Sequence, residues 1–197
     1  MKAGDYVADE IYNMNKQNNK GFVLWFTGFS AAGKTTIADK VFEILRSAQW
    51  VKDSGINLER LDGDIVRENL TNRLSFSKAD RDENIRRIGF VANLLSRNGV
   101  GVIASFISPY KEQRAELKDK VENFIEVFVD TPLTICESRD PKGMYKKARA
   151  GEIKSFTGVR DPYELPERPD IHLKGWEVSF EECGEVVIDY LKNKKYL

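Results

Sequence analysis

A three-layer α/β fold with a parallel sheet and a small lid is predicted for this 197-residue chain by three features. Strand-like apolar runs alternate with segments of helical period along most of the sequence. The first such run, Phe22-Val23-Leu24-Trp25-Phe26, leads into Gly28-Phe-Ser-Ala-Ala-Gly-Lys-Thr35, a Gly-x4-Gly-Lys-Ser/Thr pattern placed between a strand and a helix. Residues 140–169 then break the alternation with Pro141, Pro162, Pro166 and Pro169, three glycines, and the basic residues Lys142, Lys146, Lys147 and Arg149. That composition predicts a lid or long loop carrying one short helix.

Each element has its own signal. After the first strand, Thr36 to Ala48 repeats apolar residues at Ile37, Val41, Ile44 and Leu45, one stripe of a helix that covers a sheet face, and Gly55 closes the unit. Ile56 to Leu61 reads as a second strand running into Asp62-Gly63-Asp64, with a helix through Val66 and Leu70. From Asp80 to Asn98 the residues Ile85, Ile88, Val91, Leu94 and Leu95 recur every three or four positions, the strongest helical pattern in the chain, and Asn98-Gly99 supplies its stop. Val100 to Ile107 has the near-continuous apolar character of a strand covered on both faces and ends at Pro109. A helix over Lys111 to Lys120, a buried strand over Phe124 to Val129, a helix opening at Pro132 and a closing helix over Glu181 to Leu191 complete the alternation. In such a sheet the ligand site lies at the carboxyl ends of the strands.

The length fits one domain, 21–197, preceded by a polar N-terminal arm over 1–20. Lys plus Arg and Asp plus Glu are both 31, so no global field favours nucleic acid or an anionic membrane, and a small molecule is the expected partner. Cys136 and Cys183 are too few for a disulfide framework or a zinc site and read as buried thiols. With no apolar run of signal-peptide or membrane-spanning type, the expected location is the cytoplasm.

The chemistry concentrates in two clusters. In the first, the loop residues Gly28, Phe29, Ser30, Ala31, Ala32 and Gly33 present backbone N–H groups to a polyphosphate, and the helix beginning near Lys34 adds the positive end of its dipole. Lys34 reaches the β- and γ-phosphates, and the Thr35 hydroxyl, followed by Thr36, is placed to ligate Mg2+. In the second, Asp62 and Asp64 sit at a strand's carboxyl end, where one can hold metal-bound water and one can accept the proton of an attacking hydroxyl. The residues do not decide which does which, and an Asp-Gly turn with a helix cap is the plain alternative. Arg67 follows one turn later. Arg81, Arg86 and Arg87 gather around Asn84, more cation than a helix start favours, which points to an anion clamp or to a solvated face paired with Asp82 and Glu83.

Taken in order, Gly28 to Thr35, Leu61-Asp-Gly-Asp64, Asp80-Arg-Asp-Glu-Asn-Ile-Arg-Arg87, Phe106-Ile-Ser-Pro-Tyr110, Asp140-Pro-Lys-Gly-Met-Tyr-Lys-Lys-Ala-Arg-Ala-Gly-Glu-Ile153 and Phe156-Thr-Gly158 closely resemble the adenylylsulfate kinases, from about Gly21 to the closing helix. The resemblance implies a P-loop NTPase fold, ATP and adenosine 5′-phosphosulfate as substrates, Mg2+, and a homodimer. The implied reaction transfers the γ-phosphate to the ribose 3′-hydroxyl in sulfate assimilation. It further implies that Asp64, Ile65, Val66, Arg67, Arg81 and Asn84 hold the acceptor's phosphosulfate and ribose. Phe76 and Phe156 would sandwich its adenine, with Ser155 beside Phe156. Ile107 and Ser108 would line its pocket, Lys142 would approach from the lid, and Arg149 would serve ATP. Ser108 is expected to be exposed after its strand as a hydrogen-bond partner rather than a covalent intermediate. Three positions depart from the usual pattern: Ala31 for glycine, Ser75 for glycine before Phe76, and Arg160 for aspartate. Two other readings are a different small-molecule P-loop kinase and a nucleotide-gated switch protein. His172 is expected to be packed or exposed, and Trp176 to flank the donor adenine or pack in the core.

Overall fold

The first strand, β1 (Phe22–Thr27), is buried at every position, as a central strand with helices on both faces must be. The computed structural model describes residues 21–196, so the arm expected over 1–20 lies outside the described residues. In chain order β1 is followed by α1 (Lys34–Ser47), α2 (Gln49–Ser54), β2 (Asn57–Asp62), α3 (Gly63–Asn69), α4 (Lys78–Ser96), β3 (Val100–Ser105) and α5 (Lys111–Lys120). Then come β4 (Phe124–Val129), α6 (Leu133–Arg139), α7 (Met144–Arg149), β5 (Ile171–Leu173) and α8 (Phe180–Asn193). The sheet order is β2-β3-β1-β4-β5, and every pairing is parallel.

Alternation along β1 divides the core into two layers. Phe22, Leu24 and Phe26 pack with Ile37, Val41 and Leu45 of α1 and with Val187, Ile188 and Leu191 of α8. Val23 and Trp25 face the other way, against Ile85 and Ile88 of α4 and Leu117 of α5. At roughly 1.5–3 kcal/mol for each large apolar side chain removed from water, these two faces dominate the stability of the fold. The predicted three-layer architecture is therefore the observed one. Cys136 and Cys183 are both free and buried, as expected. Among the described residues no helix is long and apolar enough to cross a membrane.

Three details differ from the sequence expectation. β3 ends at Ser105 rather than Ile107: Phe106 N makes the last ladder bond, to Phe26 O at 3.0 Å, and beyond it Ile107 O accepts from the Thr27 side chain instead of a strand N–H. The edge strand β5 was not foreseen: three residues are too few to show a period of two. The single turn α2 precedes Gly55, which does close the unit, in a left-handed conformation at φ +69°. The helix expected to open at Pro132 and the one short helix expected in the lid are both present, on either side of Asp140, whose carboxylate accepts from Tyr145 N at 3.1 Å and Lys146 N at 3.0 Å and so starts α7.

Candidate active site

Parallel strands deliver Thr27, Asp62, Ser105 and Val129 to one edge of the sheet, and the predicted chemistry collects there. The loop after β1 follows a path that needs glycine. Gly28 has φ +147° and Gly33 +103°, and a side chain on Gly28 would meet Val129 O at 2.6 Å. Ala31 holds φ +59°, which accounts for the usual glycine there. Donors grip the carbonyls of four successive loop residues: Lys34 Nζ on Phe29 O at 2.6 Å, Tyr145 OH on Ser30 O at 3.0 Å, Arg139 Nη1 on Ala31 O at 3.3 Å, and Thr131 Oγ1 on Ala32 O at 2.9 Å. Those bonds fix the peptide planes of the loop. α1 begins with no side-chain cap, so its first-turn N–H groups are left for an anion.

Lys34 is only 8% exposed, not the exposed loop lysine that a surface motif suggests. Burial holds its pKa down at about 8, partly opposed by Cys136 and Asp62. An ammonium so poorly solvated gains more than a surface lysine would from an arriving phosphate. Thr35 Oγ1 donates to Asp62 Oδ2 at 3.1 Å, while Thr36 is exposed on the outer side of the same turn.

Asp62, not Asp64, caps α3, accepting from Asp64 N at 3.0 Å. Its other oxygen accepts from Thr35 and, at 3.2 Å, from Ser105 Oγ, and lies 3.6 Å from Arg60 Nη2. Burial pushes its pKa up, but the Asp64 N–H, Arg60, Thr35 and Ser105 outweigh that and hold it below the usual carboxylate value. Asp62 is thus a fixed anion. Asp64 is exposed and ion-pairs with Lys142 from the lid.

On the far side of Asp64 stands a cationic and aromatic cluster. The Arg67 guanidinium lies 4.5 Å from the centre of the Phe76 ring and donates to Leu74 O at 3.0 Å. Burial, then the neighbouring charge of Arg81, pulls the Arg67 pKa down. Phe76 is 40% exposed. Ser75, at a position where glycine is usual, is absorbed by Asp80, which accepts from Ser75 N at 3.1 Å and from Ser77 Oγ at 2.9 Å. Asn84 carries a buried Oδ1 with no hydrogen-bond partner among the described residues. Ile65, next to Asp64 on α3, is 62% exposed, and Val66 and Ile107 are half-buried.

Several expectations need correction. Ser108 is not exposed: it is 1% accessible, holds φ +45°, and its Oγ accepts from Trp25 Nε1 at 2.9 Å. Phe156 is buried edge-on to Tyr145, 5.0 Å between ring centres, and offers no open face opposite Phe76. Arg81 is buried rather than free, with every guanidinium nitrogen engaged: Nε with Phe76 O at 2.8 Å, Nη1 with Thr157 Oγ1, and Nη2 with Ser155 O at 2.6 Å and Asp161 Oδ2 at 3.4 Å. Arg81 thereby ties the Phe76 turn to the Ser155–Phe156 segment. Arg86 and Arg87 pair with Glu83 on the solvated face. Arg149 pairs with Glu137, Nε to Oε1 at 3.0 Å. His172 is as expected, exposed, stacking on Phe128 and reaching Asp130 at 2.9 Å, whereas Trp176 is 46% exposed and does not pack in the core.

Sequence reasoning missed Arg60, Ser105, Thr131, Arg139 and Tyr145 as supports. Only Tyr145 lay within a recognisable motif. Ser105, Thr131 and Arg139 act on partners distant in sequence, and Arg60, two residues before Asp62, stood outside the motif.

Comparison with known proteins gives one family. Residues 20–174 match the family described as adenylylsulphate kinase. A protein of Pseudomonas aeruginosa named probable adenylyl-sulfate kinase is 58% identical over 168 residues, 85% of this chain and 76% of its own length. The adenylyl-sulfate kinase of Synechococcus sp. (strain JA-3-3Ab) is 52% identical over 178 residues, 90% of this chain and 98% of its own. Among solved structures, the Mycobacterium tuberculosis APS kinase in complex with AMPPNP and APS superposes with a TM-score of 0.80 at 44% identity, covering 88% of this chain and 98% of that one.

Proposed function

This chain belongs to the adenylylsulphate kinase family, and on that premise we propose that it transfers the γ-phosphate of ATP to the ribose 3′-hydroxyl of adenosine 5′-phosphosulfate. The products are ADP and 3′-phosphoadenosine 5′-phosphosulfate, used in sulfate assimilation. The observation that carries the reading is that two guanidiniums meet at Phe76: Arg67 lies 4.5 Å from the centre of its ring and Arg81 Nε donates to its carbonyl at 2.8 Å. Two mutually repelling cations next to an aromatic face suit an adenine nucleotide with an anionic tail. A sugar-acid acceptor has no use for the ring, and a switch protein has no use for a second anion site. ADP release should therefore depend on adenosine 5′-phosphosulfate. Equal release with AMP, a sugar acid or no acceptor would remove this reading.

Each residue's task follows from its surroundings. The loop amides and Lys34 hold the β- and γ-phosphates in line with the acceptor, where positioning and charge stabilisation supply most of the catalysis. Asp62, held ionised by its three donors and Arg60, orients rather than takes protons. Asp64, exposed and flexibly paired with Lys142, takes the proton that the 3′-hydroxyl loses as its oxygen bonds to the γ-phosphorus and ADP leaves. Phe76 stacks on the acceptor adenine, a contact of roughly 1–3 kcal/mol in nucleic-acid complexes. The buried Asn84 Oδ1 accepts from the acceptor, and Ile65, Val66 and Ile107 shape its pocket. Ser155 and Phe156 act from below through Arg81. Arg149, paired with Glu137 and 57% exposed at its side chain, is the lid cation assigned to ATP.

The residues fit Mg2+. Thr35 Oγ1 and Asp62 Oδ2 form an oxygen-only set, and among the described residues no group of three or more His, Cys, Asp or Glu builds a cage. Thr35 would hold the ion directly and Asp62 through water, its other ligands being oxygens of phosphate and water. When bound, Mg2+ neutralises charge on the β- and γ-phosphates. A cytoplasmic location and a homodimer complete the proposal. The exposed Phe90 and Leu94 on α4, beside a groove of about 600 Å3 against α5, support a second copy at that face.

Two outcomes follow. Above about pH 8 a growing share of Lys34 is neutral in the empty protein, and bound phosphates restore the ammonium. ATP binding at about pH 8.5 should take up protons, and affinity should fall as pH rises through 8. Calorimetry in buffers of different ionisation enthalpy reads this, and no uptake would contradict the buried-lysine geometry. Second, Ser108→Ala should keep transfer within about tenfold while losing about 1–3 kcal/mol of stability, because it leaves the Trp25 indole N–H unpaired. Complete loss of transfer with fold and nucleotide affinities intact would favour a covalent route through Ser108.

A further inference from the structure

The turn between β3 and α5 supplies Ile107 and Ser108 to the acceptor side, and it is held in a conformation it would not keep alone. Ser108 sits at φ +45°, a left-handed backbone that residues other than glycine adopt at a cost. Its carbonyl accepts from Arg114 Nη1 at 2.7 Å. Arg114 is 4% exposed, one turn into α5, and its guanidinium reaches in three directions. Besides Ser108 O, Nη2 donates to Glu164 O at 2.6 Å on the return arm of the lid, and Nε lies 2.8 Å from Glu126 Oε1 of β4. The return arm is itself stitched to both halves of the site. Glu164 N donates to Pro109 O at 2.8 Å, and Lys111 N donates to Glu164 Oε2 at 2.7 Å. The Tyr163 hydroxyl meets Thr27 Oγ1 at 2.8 Å, its ring lies 4.9 Å from that of Phe29 in the phosphate loop, and Thr27 Oγ1 donates to Ile107 O at 2.7 Å.

From this geometry we propose that Arg114 is a positioning residue for transfer: it pins the strained Ser108 turn and the lid's return arm in one register, so that the acceptor shelf at Ile107 faces the phosphate loop at a fixed distance. The ion pair by itself does not argue for this, since a buried pair is often no more stabilising than a well-packed apolar one. What does is that the other two arms of the guanidinium end on backbone carbonyls of site segments. Only a planar fork serves three acceptors in different directions, and a lysine ammonium is a point charge that keeps the Glu126 pair at the expense of the carbonyls.

The inference rests on the proposed reaction, and wild-type turnover of adenosine 5′-phosphosulfate tests that separately. The experiment uses the full-length chain carrying Arg114→Lys. We expect kcat to fall about tenfold or more, with ATP affinity changed less than about twofold. A residue that only stabilises the fold would not produce that split. In a Ser108→Gly background, where the backbone takes φ +45° without being held, the cost of Arg114→Lys should shrink to less than about threefold. Unchanged kcat in folded Arg114→Lys, or the same penalty in both backgrounds, overturns the proposal. Should Arg114→Lys fail to fold, the double variant Arg114→Met/Glu126→Met removes both charges together. A folded double variant with reduced kcat and intact ATP affinity supports the proposal, and one with wild-type kcat overturns it.

Discussion

Lys34→Ala is expected to lower phosphoryl transfer by about a thousandfold or more, because preorganised charge at the transferring group is the largest single contribution in such a site. The Lys34 ammonium is held on Phe29 O at 2.6 Å and is only 8% exposed, a fixed charge that a mobile cation from solvent does not replace. The protein should stay folded. In the folded state the lysine pKa lies near 8, below its ordinary value of 10.5, so the unfolded chain binds more protons between those values. Lys34 therefore costs stability below about pH 8, and that cost disappears as pH rises through the window. The alanine variant should melt at or above the wild-type temperature at neutral pH and lose this part of the pH dependence. Steady-state rates with thermal melts at about pH 7 and pH 9 check both halves. A folded variant that keeps its rate would contradict the donor assignment.

Arg81→Ala is the second large effect. The guanidinium joins Phe76 O to Ser155 O and Asp161 and adds its charge to that of Arg67. Its loss removes part of the anion field and releases both acceptor-side segments at once. With charge-assisted hydrogen bonds contributing about 1.5–3 kcal/mol each, the acceptor KM should rise about a hundredfold, while the affinity for ATP moves less than about threefold. Arg81→Lys should recover only part, because an ammonium does not span Phe76 O and Ser155 O together. Equal weakening of both nucleotides would mean that Arg81 has been assigned to the wrong side of the cleft.

The sequence made legible what is local. The run Phe22 to Phe26, the glycines at 28 and 33, and the alternation of strand and helix each express a backbone requirement within a few residues, and all appear in the structure. Two of the three departures also find a place: Ala31 takes the left-handed conformation and Ser75 is tied to Asp80. What stayed hidden depends on distant partners. Ser108 looks exposed until Trp25, 83 positions earlier, turns its indole toward it. Arg81 looks like a free clamp until Ser155 and Asp161, 74 and 80 positions later, fold back onto it. Phe156 reads as a stacking ring, yet Tyr145 and the core on that face claim it. β5 is recruited to the sheet edge by β4, a tertiary effect that three residues do not announce. Motif residues are thus placed correctly at the strand ends, while their exposure is set by the tertiary network.

The central claim is that two nucleotides meet in one cleft, a triphosphate on the loop after β1 and a sulfonated adenylate beside Arg67 and Phe76. Phosphorus NMR of the product formed from ATP, Mg2+ and adenosine 5′-phosphosulfate tests it most directly. The account predicts a new monoester resonance coupled to the ribose 3′-proton, with the 5′-phosphosulfate intact. Inorganic phosphate as the only new signal besides ADP, or a phosphoryl group on any other oxygen, would contradict it.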